Sequence, residues 1–474
     1  MSNLKTSFSK NLKQFVMLIT LMVIIIFFQV LTKGTLLKPM NVFNLINQNA
    51  YVVVLAVGML MCILTGGNVD LSVGSVVAFV GACAGTMMIT WKWDPYLSTF
   101  LCLLAGIVIG AWHGFWISYV NIPAFIVTLS GQLIFRGLTL IVLKGLTLSP
   151  FPKAFMNLST GAIGNFMLEI NPAALLIFTV IISLAVFFLQ LKSFYHEEDD
   201  EKFMKSLLAA LLISFAVSLA VFATIHYDVV THITRFLLGT ELRNVSSLVI
   251  GLLLAAGVIF IEIKRRADRK RKGYSYDSLE ATLIRALVIA AGIIYFFYLL
   301  ANYTGAPVVL ITVGIVLLVY SYITSKTVMG RHLYAVGGNE KAARLSGVKT
   351  EKIKFLAYVN MSFLAAVAGL IFSARLQSAS PQAGNGFELD AIGACYIGGA
   401  SAYGGIGTVG GTLIGALIMG VLNNGMSIMG ISIDMQQVVK GLVLLAAVAF
   451  DVISKQKISF PFLTRIFHRR TSAA

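Results

Sequence analysis

Runs of roughly eighteen or more predominantly apolar residues recur from one end of this chain to the other, each long enough to cross about 30 Å of hydrocarbon as a helix. Hydrophobic residues make up 58% of the 474 and charged residues 12%, a balance at which a water-soluble domain could not cover its apolar surface. The expected fold class is all-α, a polytopic membrane helix bundle. Apolar length, flanking charge and Pro/Gly breaks place about fourteen transmembrane segments, at 14–32, 42–64, 71–91, 96–119, 124–143, 172–191, 206–225, 245–263, 281–301, 305–324, 354–373, 389–406, 408–428 and 436–453. The first run follows Lys5, Lys10 and Lys13, is long for a secretory signal and meets no small-residue cleavage site before Lys33, so it reads as an uncleaved span.

The net charge of +16 would suit nucleic acid, but the cations gather in a few loops between spans and no basic groove with interleaved aromatics exists, so nucleic acid is excluded as a partner. Most Lys and Arg fall on one side: the N-terminal tail, the stretch from Lys192 to Lys205, the run Lys264 to Lys272, the stretch 325–353, and the tail with Lys455, Lys457, Arg465, Arg469 and Arg470. The positive-inside rule makes that side cytoplasmic and places both termini there. Cys62, Cys83, Cys102 and Cys395 sit in or beside apolar segments at no ligand-like spacing and read as small buried residues.

Two segments resist a plain helical reading. Ile397 to Gly405 is too glycine-rich for an uninterrupted crossing, and Thr65 to Ser75 carries a second Gly-Gly followed by small polar residues. Broken backbone at membrane depth is tolerated only where protein or a wet cavity surrounds it, so 389–406 is either an interrupted crossing or a re-entrant pair. The likeness of the two breaks hints at an internal repeat, and transporters place substrate paths between such repeats.

One hydrophilic stretch, Gly330 to Lys354, lies between two apolar runs. Asn339 suits an N-cap, Glu340 the positive end of a helix dipole, and Gly347 a left-handed stop, which predicts a helix of about two turns on the membrane surface. Thr350 as cap and Glu351 in the first turn then predict the start of the next span. A capped helix clamped between two membrane columns is a device for passing a push from another subunit.

No catalytic constellation is present in the sequence: no phosphate loop, no His-Glu-x-x-His, no Cys-x-x-Cys and no Gly-x-Ser-x-Gly. Polar groups at membrane depth are scattered. Asp70, with Ser72 after it, either caps the helix that follows or lines a path; the amides Asn423, Asn424, Gln436 and Gln437 either tie helices together or line a hydrophilic conduit suited to a neutral polyol. Arg136 is expected to satisfy exposed carbonyls or a carboxylate, His113 to pack, and Glu388 and Asp390 to offset a helix dipole.

The stretch at 330–354 closely resembles the cytoplasmic coupling loop of permease subunits of bacterial monosaccharide ABC importers, the ribose, xylose and galactose type. Four further strings are similar to that family: Gly66 to Ser75, Ile122 to Leu129, Phe387 to Ile392, and Gly398 to Gly411. The resemblance runs from about residue 40 to 143 and from about 305 to 455, and implies a ten-span core. About four additional spans interrupt it, as in the xylose-like and multiple-monosaccharide branch. On this reading 1–143 is the N-terminal half of the core, 144–171 an external loop, and 172–301 the inserted spans with a basic cytoplasmic loop. The C-terminal half is 302–455 with the coupling loop at 325–353, and 456–474 is a basic cytoplasmic tail.

The resemblance further implies a permease homodimer in the bacterial cytoplasmic membrane, served by an extracytoplasmic sugar-binding protein and a separate ATPase. ATP and Mg would be bound in that partner chain, with no cofactor or metal in this one, which is then not an enzyme. Coupling to the ATPase falls on Gly338, Asn339, Glu340, Lys341, Ala342, Ala343, Arg344, Leu345, Ser346 and Gly347. Among these, Glu340, Lys341 and Arg344 would project to the partner while Ala342, Ala343 and Leu345 pack the helix. An ion-coupled secondary sugar transporter is the alternative, and would need a titratable cluster at mid-membrane; a membrane-embedded transferase would need a convergent acid or metal set.

Overall fold

The structure, a computed structural model, describes residues 12–163, 244–274, 276 and 278–456. The expected spans at 172–191 and 206–225 and the basic loop and tail at 192–205 and 457–474 lie outside the described residues. Fifteen α-helices follow in order: α1 Leu12–Leu31, α2 Pro39–Leu64, α3 Val73–Gly85 with a π-helical turn Thr86–Thr90, α4 Pro95–Ser118, α5 Ala124–Leu143, α6 Lys153–Thr160, α7 Val245–Arg271, α8 Leu279–Ala301, α9 Val309–Lys326, α10 Val328–Gly338, α11 Glu340–Leu345, α12 Thr350–Leu376, α13 Phe387–Ile397, α14 Val409–Ile428 and α15 Ile433–Gln456. Ten of them are long and apolar enough to cross a membrane. The segment at 389–406 is interrupted, as its glycines predict: α13 has 11 residues and gives way to a glycine turn. At 1.5 Å per residue it reaches about half-way through the hydrocarbon.

The described residues form two compact units, one of 12–37, 45–159 and 309–456, the other of 38–44, 160–163 and 244–308. In the larger unit α2 occupies the centre, and every residue from Val52 to Leu64 is buried. A helix apolar all round belongs in the interior. Its outer neighbours show the complementary pattern, with Leu133, Ile141 and Leu318 more than 70% exposed, as expected of side chains that meet lipid.

The closest helix pairing in this unit, α4 on α12, rests on a run of small residues. Gly106, Gly110 and Gly114 recur every fourth position, which puts them on one face. A methyl group at Gly106 would meet Ala366 and the Ser362 carbonyl; at Gly110, the Val359 Cα and the Tyr358 carbonyl; at Gly114, the Phe355 carbonyl. The backbones therefore approach as closely as small-xxx-small packing allows. A second tie binds α15 to the core. Lys440 Nζ lies 2.9 Å from Oδ1 of the buried Asp390, and the Tyr51 hydroxyl of α2 donates to Oδ2 at 3.4 Å. Asp390 is thus held by a specific cation beyond the dipole of its own helix. Arg136 Nη1 donates to the carbonyls of Pro381 and Ala383 at 2.8 and 2.7 Å, as its sequence context predicts. His113 packs against Trp112 and Phe135.

In the smaller unit α7 and α8 form an antiparallel pair, with Gly251 against the Phe297 ring and Arg285 donating to Glu262 at 2.6 Å. The basic run, expected in a loop, is helical from Lys264 to Arg271. Nothing breaks the helix before Gly273, and the cations offset the negative end of its dipole.

The α4–α12 seam sets a stability test. Gly110→Leu is expected to cost about 1–3 kcal/mol by overpacking and to lower the melting temperature of the detergent-solubilised chain. Gly137→Leu, at a glycine with no neighbour within 4 Å, is expected to leave it unchanged; equal melting of the two variants would show the seam carries no packing load.

Candidate functional site: the surface helix and the glycine junction

The helix expected at the hydrophilic stretch forms as α11, six residues long. Asn339 caps it, its side chain accepting from the Ala342 N–H at 3.0 Å. At the other end Gly347 takes φ +83°, its N–H donates to the Arg344 carbonyl, and the Val348 N–H donates to the Ala343 carbonyl, both at 3.0 Å. That is a Schellman closure, with Ala343 buried and Val348 partly buried against the core beside it.

The side chains of α11 divide differently from the expectation. Glu340 and Arg344 do not project freely: Lys354 Nζ lies 2.6 Å from Glu340 Oε1, and Arg344 pairs with Glu351. Both ties run to α12. Of the three residues expected to pack the helix, only Ala343 does so, while Ala342 is exposed and Leu345 is 90% exposed. The outward face is therefore Lys341, Ala342, Leu345 and Ser346, an apolar tip flanked by polar groups. Thr350, expected as the cap of the next span, is instead its first residue, and its hydroxyl accepts from Arg344 at 3.3 Å.

A further helix, α10, precedes α11. Thr327 caps it by accepting from the Gly330 N–H at 3.1 Å, and Leu333 and Val336 on one face are buried. Its last turn ends in a junction of backbone on backbone. A methyl group on Gly337 would strike the Leu64 carbonyl at the end of α2 and the Gly405 nitrogen. Gly405 in turn donates its N–H to that Leu64 carbonyl at 3.2 Å. Alongside, a methyl on Gly67 would strike the Ala402 carbonyl, and one on Gly404 would meet Gly66. The Tyr334 hydroxyl donates to the Gly407 carbonyl at 2.8 Å, and burial raises its phenol above the ordinary value, so it stays a donor. Asp451 of α15 accepts from the Ala402 N–H at 3.2 Å, and a methyl on Gly399 would reach the Met17 sulfur of α1. The two glycine-rich breaks thus meet each other and the helix leading into α11, at one end of the bundle.

The polar residues proposed for a path do not converge. Asp70 is buried and closes a local turn, accepting from the Ser72 N–H and hydroxyl at 2.9 and 2.6 Å; the first residues of α3 receive no side-chain cap. Asn424 is buried and donates to Gln48 at 3.4 Å, tying α14 to α2. Gln436 donates to the Ile431 carbonyl at 2.8 Å, Asn423 is half-buried and Gln437 exposed. Lys440, Tyr334, Gly337 and the run Gly106, Gly110, Gly114 were not singled out from sequence. The four-residue glycine spacing was there to be read; the partners of Lys440 and Gly337 lie far away along the chain.

The family described as branched-chain amino acid transport system / permease component matches this chain over residues 41–195 and 179–448. The xylose transport system permease protein XylH of Escherichia coli (strain K12) is 32% identical over 449 residues, covering 95% of this chain and 94% of that protein. Its counterpart in Haemophilus influenzae is 30% identical, covering 95% and 98%. The ribose import permease protein RbsC of Escherichia coli (strain K12) is 50% identical over 147 residues, 31% of this chain and 46% of that protein. No solved structure matches.

The ties from α11 to α12 can be measured without reference to transport. Lys354→Met removes one partly exposed pair worth about 0.4–1 kcal/mol, so amide exchange across 342–346 is expected to quicken roughly two- to fivefold, with the middle of α12 unchanged. Unaltered exchange would show that Glu340 and Lys354 do not anchor the helix.

Proposed function

This chain belongs to the branched-chain amino acid transport system / permease component family, and we propose that it is the membrane-spanning subunit of an ATP-driven monosaccharide importer. One observation carries the reading: similarity to xylose permeases runs over nearly the whole of both chains. An alignment covering 95% of this chain cannot omit the stretch 172–301, which supports placing it with the xylose-like permeases rather than the shorter core alone. The ribose permease matches 31% of the chain, in keeping with a shared segment of core.

The geometry suits a subunit driven from outside itself. In this proposal the end bearing α11 faces the cytoplasm, a separate ATPase docks on the face of Lys341, Ala342, Leu345 and Ser346, and ATP with Mg is bound there. A binding protein delivers sugar at the opposite end, and two copies of this chain pair. Closure of the ATPase moves α11. The motion enters the bundle along α12 through the two ion pairs, and along α10 into the junction of Gly337 with Leu64 and Gly405. Because that junction joins the ends of α2 and the break before α14, displacing it shifts both broken segments together. Access to the path alternates as they move.

Reconstitution with the ATPase and the binding protein tests this directly: labelled pentose should accumulate in proteoliposomes only with ATP. Accumulation driven by an ion gradient in the absence of the ATPase would overturn it. Two variants separate docking from transmission. Leu345→Asp is expected to abolish co-purification of the ATPase and uptake alike, since a charge replaces the exposed apolar anchor. Gly337→Val is expected to keep the ATPase bound yet cut uptake at least about tenfold, because the side chain pries α10 from Leu64 and Gly405. Wild-type uptake by Gly337→Val would remove the junction from the route.

A further inference from the structure

Beside α11 an open cleft of about 380 Å³ lies between α10 and the start of α12, lined by Met329, His332, Gly347, Lys349, Lys352, Ile353 and Leu356. Its chemistry is layered. Lys349, Lys352 and Leu356 fall at positions i, i+3 and i+7 and so share a face that descends from the polar loop into the first apolar turns of a span. His332 joins the two lysines among the polar lining residues; Met329, Ile353 and Leu356 are the apolar ones.

Charge in this region is unbalanced. From Lys326 to Lys354 the chain carries seven Lys and Arg against two Glu. Both carboxylates are already committed, Glu340 to Lys354 and Glu351 to Arg344. Among the described residues no carboxylate pairs with Lys349 or Lys352, which are exposed at the mouth of the cleft. Two unpaired ammonium groups beside an apolar wall, at the level where a span leaves the bilayer, match a ligand with an anionic head and an apolar tail. Lys349 also precedes the first turn of α12, where no side chain caps the free N–H groups, so the helix dipole adds to the positive field.

We propose that this cleft is a binding site for the headgroup phosphate of an anionic phospholipid, with Lys349, Lys352 and His332 facing the phosphate and Met329, Ile353 and Leu356 the glycerol and upper acyl chain. Basic pockets between membrane helices recognise lipid headgroups in this way. The site borders both α10 and the base of α11 at Gly347, so an occupied cleft braces the surface helix against the span that carries it. The assignment does not depend on which solute the chain moves.

The test uses the full chain in nanodiscs of phosphatidylcholine alone or with a third phosphatidylglycerol, with amine-reactive labelling read residue by residue. At about 1 kcal/mol per cation, phosphatidylglycerol is expected to slow labelling of Lys349 and Lys352 roughly fivefold, and exposed Lys341, outside the cleft, by less than about twofold. Equal labelling in the two lipids overturns the proposal. Equivalent protection by inorganic phosphate in phosphatidylcholine discs makes it a free-anion site and overturns the lipid assignment. Protection that requires added ATPase subunit makes the occupant an acidic protein surface, again overturning it. As a second measurement, the Lys349→Gln/Lys352→Gln variant is expected to lose phosphatidylglycerol that the unaltered chain retains through detergent extraction; equal retention by the two counts against the site.

Discussion

A helix that ends against other protein rather than in open water needs partners for its free carbonyls and N–H groups, and most of this architecture follows from how two such endings are resolved. The end of α2 turns back on itself, with the Gly67 N–H on the Ile63 carbonyl at 2.8 Å. The break after α13 closes a small loop, with the Ser401 N–H on the Ile406 carbonyl at 2.9 Å. What remains open at Leu64 is taken by Gly405. The two breaks satisfy one another, and only glycine permits backbones to come that near. Having met there, they leave a surface on which Gly337 can rest without any side chain between. The junction is a consequence of hydrogen-bond bookkeeping before it is anything mechanical.

Its mechanical consequence comes from contrast in stiffness. Behind the junction lies α2, buried without a break from Val52 to Leu64, and beside it the glycine seam of α4 with α12, whose backbones touch over two turns. Such packing is not continuously deformable and transmits displacement. In front of it, α11 is six residues long and held by a cap, a Schellman turn and two ion pairs with exposed members. A short element with compliant attachments on a stiff foundation moves as a body when pushed. Lys354 and Glu351 lie in the first turns of α12, so force applied at α11 enters a 27-residue lever near its end.

Local chemistry was legible in the sequence. The Asn339 cap and the Gly347 stop act within a few residues, and both form where composition places them. Apolar length located most of the described spans to within a few residues, because bilayer thickness imposes it, while the helix expected at 245–263 runs on to Arg271. The glycine excess at 397–405 correctly warned against a plain crossing. What stayed hidden depends on partners far apart in the chain. Asp390 reads as a first-turn acid until Lys440 and Tyr51 arrive beside it. Glu340 and Arg344 read as outward charges until α12 folds back and supplies Lys354 and Glu351, leaving Leu345 as the exposed tip. Thr350 is not the cap because the helix begins one residue earlier than expected, so that Lys349 holds the cap position and the Thr350 hydroxyl accepts from Arg344.

The scattered polar residues illustrate the same limit at the scale of the whole bundle. Asp70 donates its backbone N–H to the sulfur of Met59, whereas Asn424 reaches Gln48 on the same helix. Eleven residues of α2 separate those contacts, about 16 Å along its axis. A monosaccharide is shorter than that, so it cannot touch Asp70 and Asn424 at once. Both are moreover buried within one chain, with Ser72 beside Asp70 equally enclosed. These groups hold the bundle at two depths: Asp70 shapes the turn that feeds the glycine junction, and Asn424 fastens α14 at the opposite third. Within this structure the faces that Asp70, Ser72 and Asn424 occupy are closed inside the chain, and their contacts keep the broken helices in register.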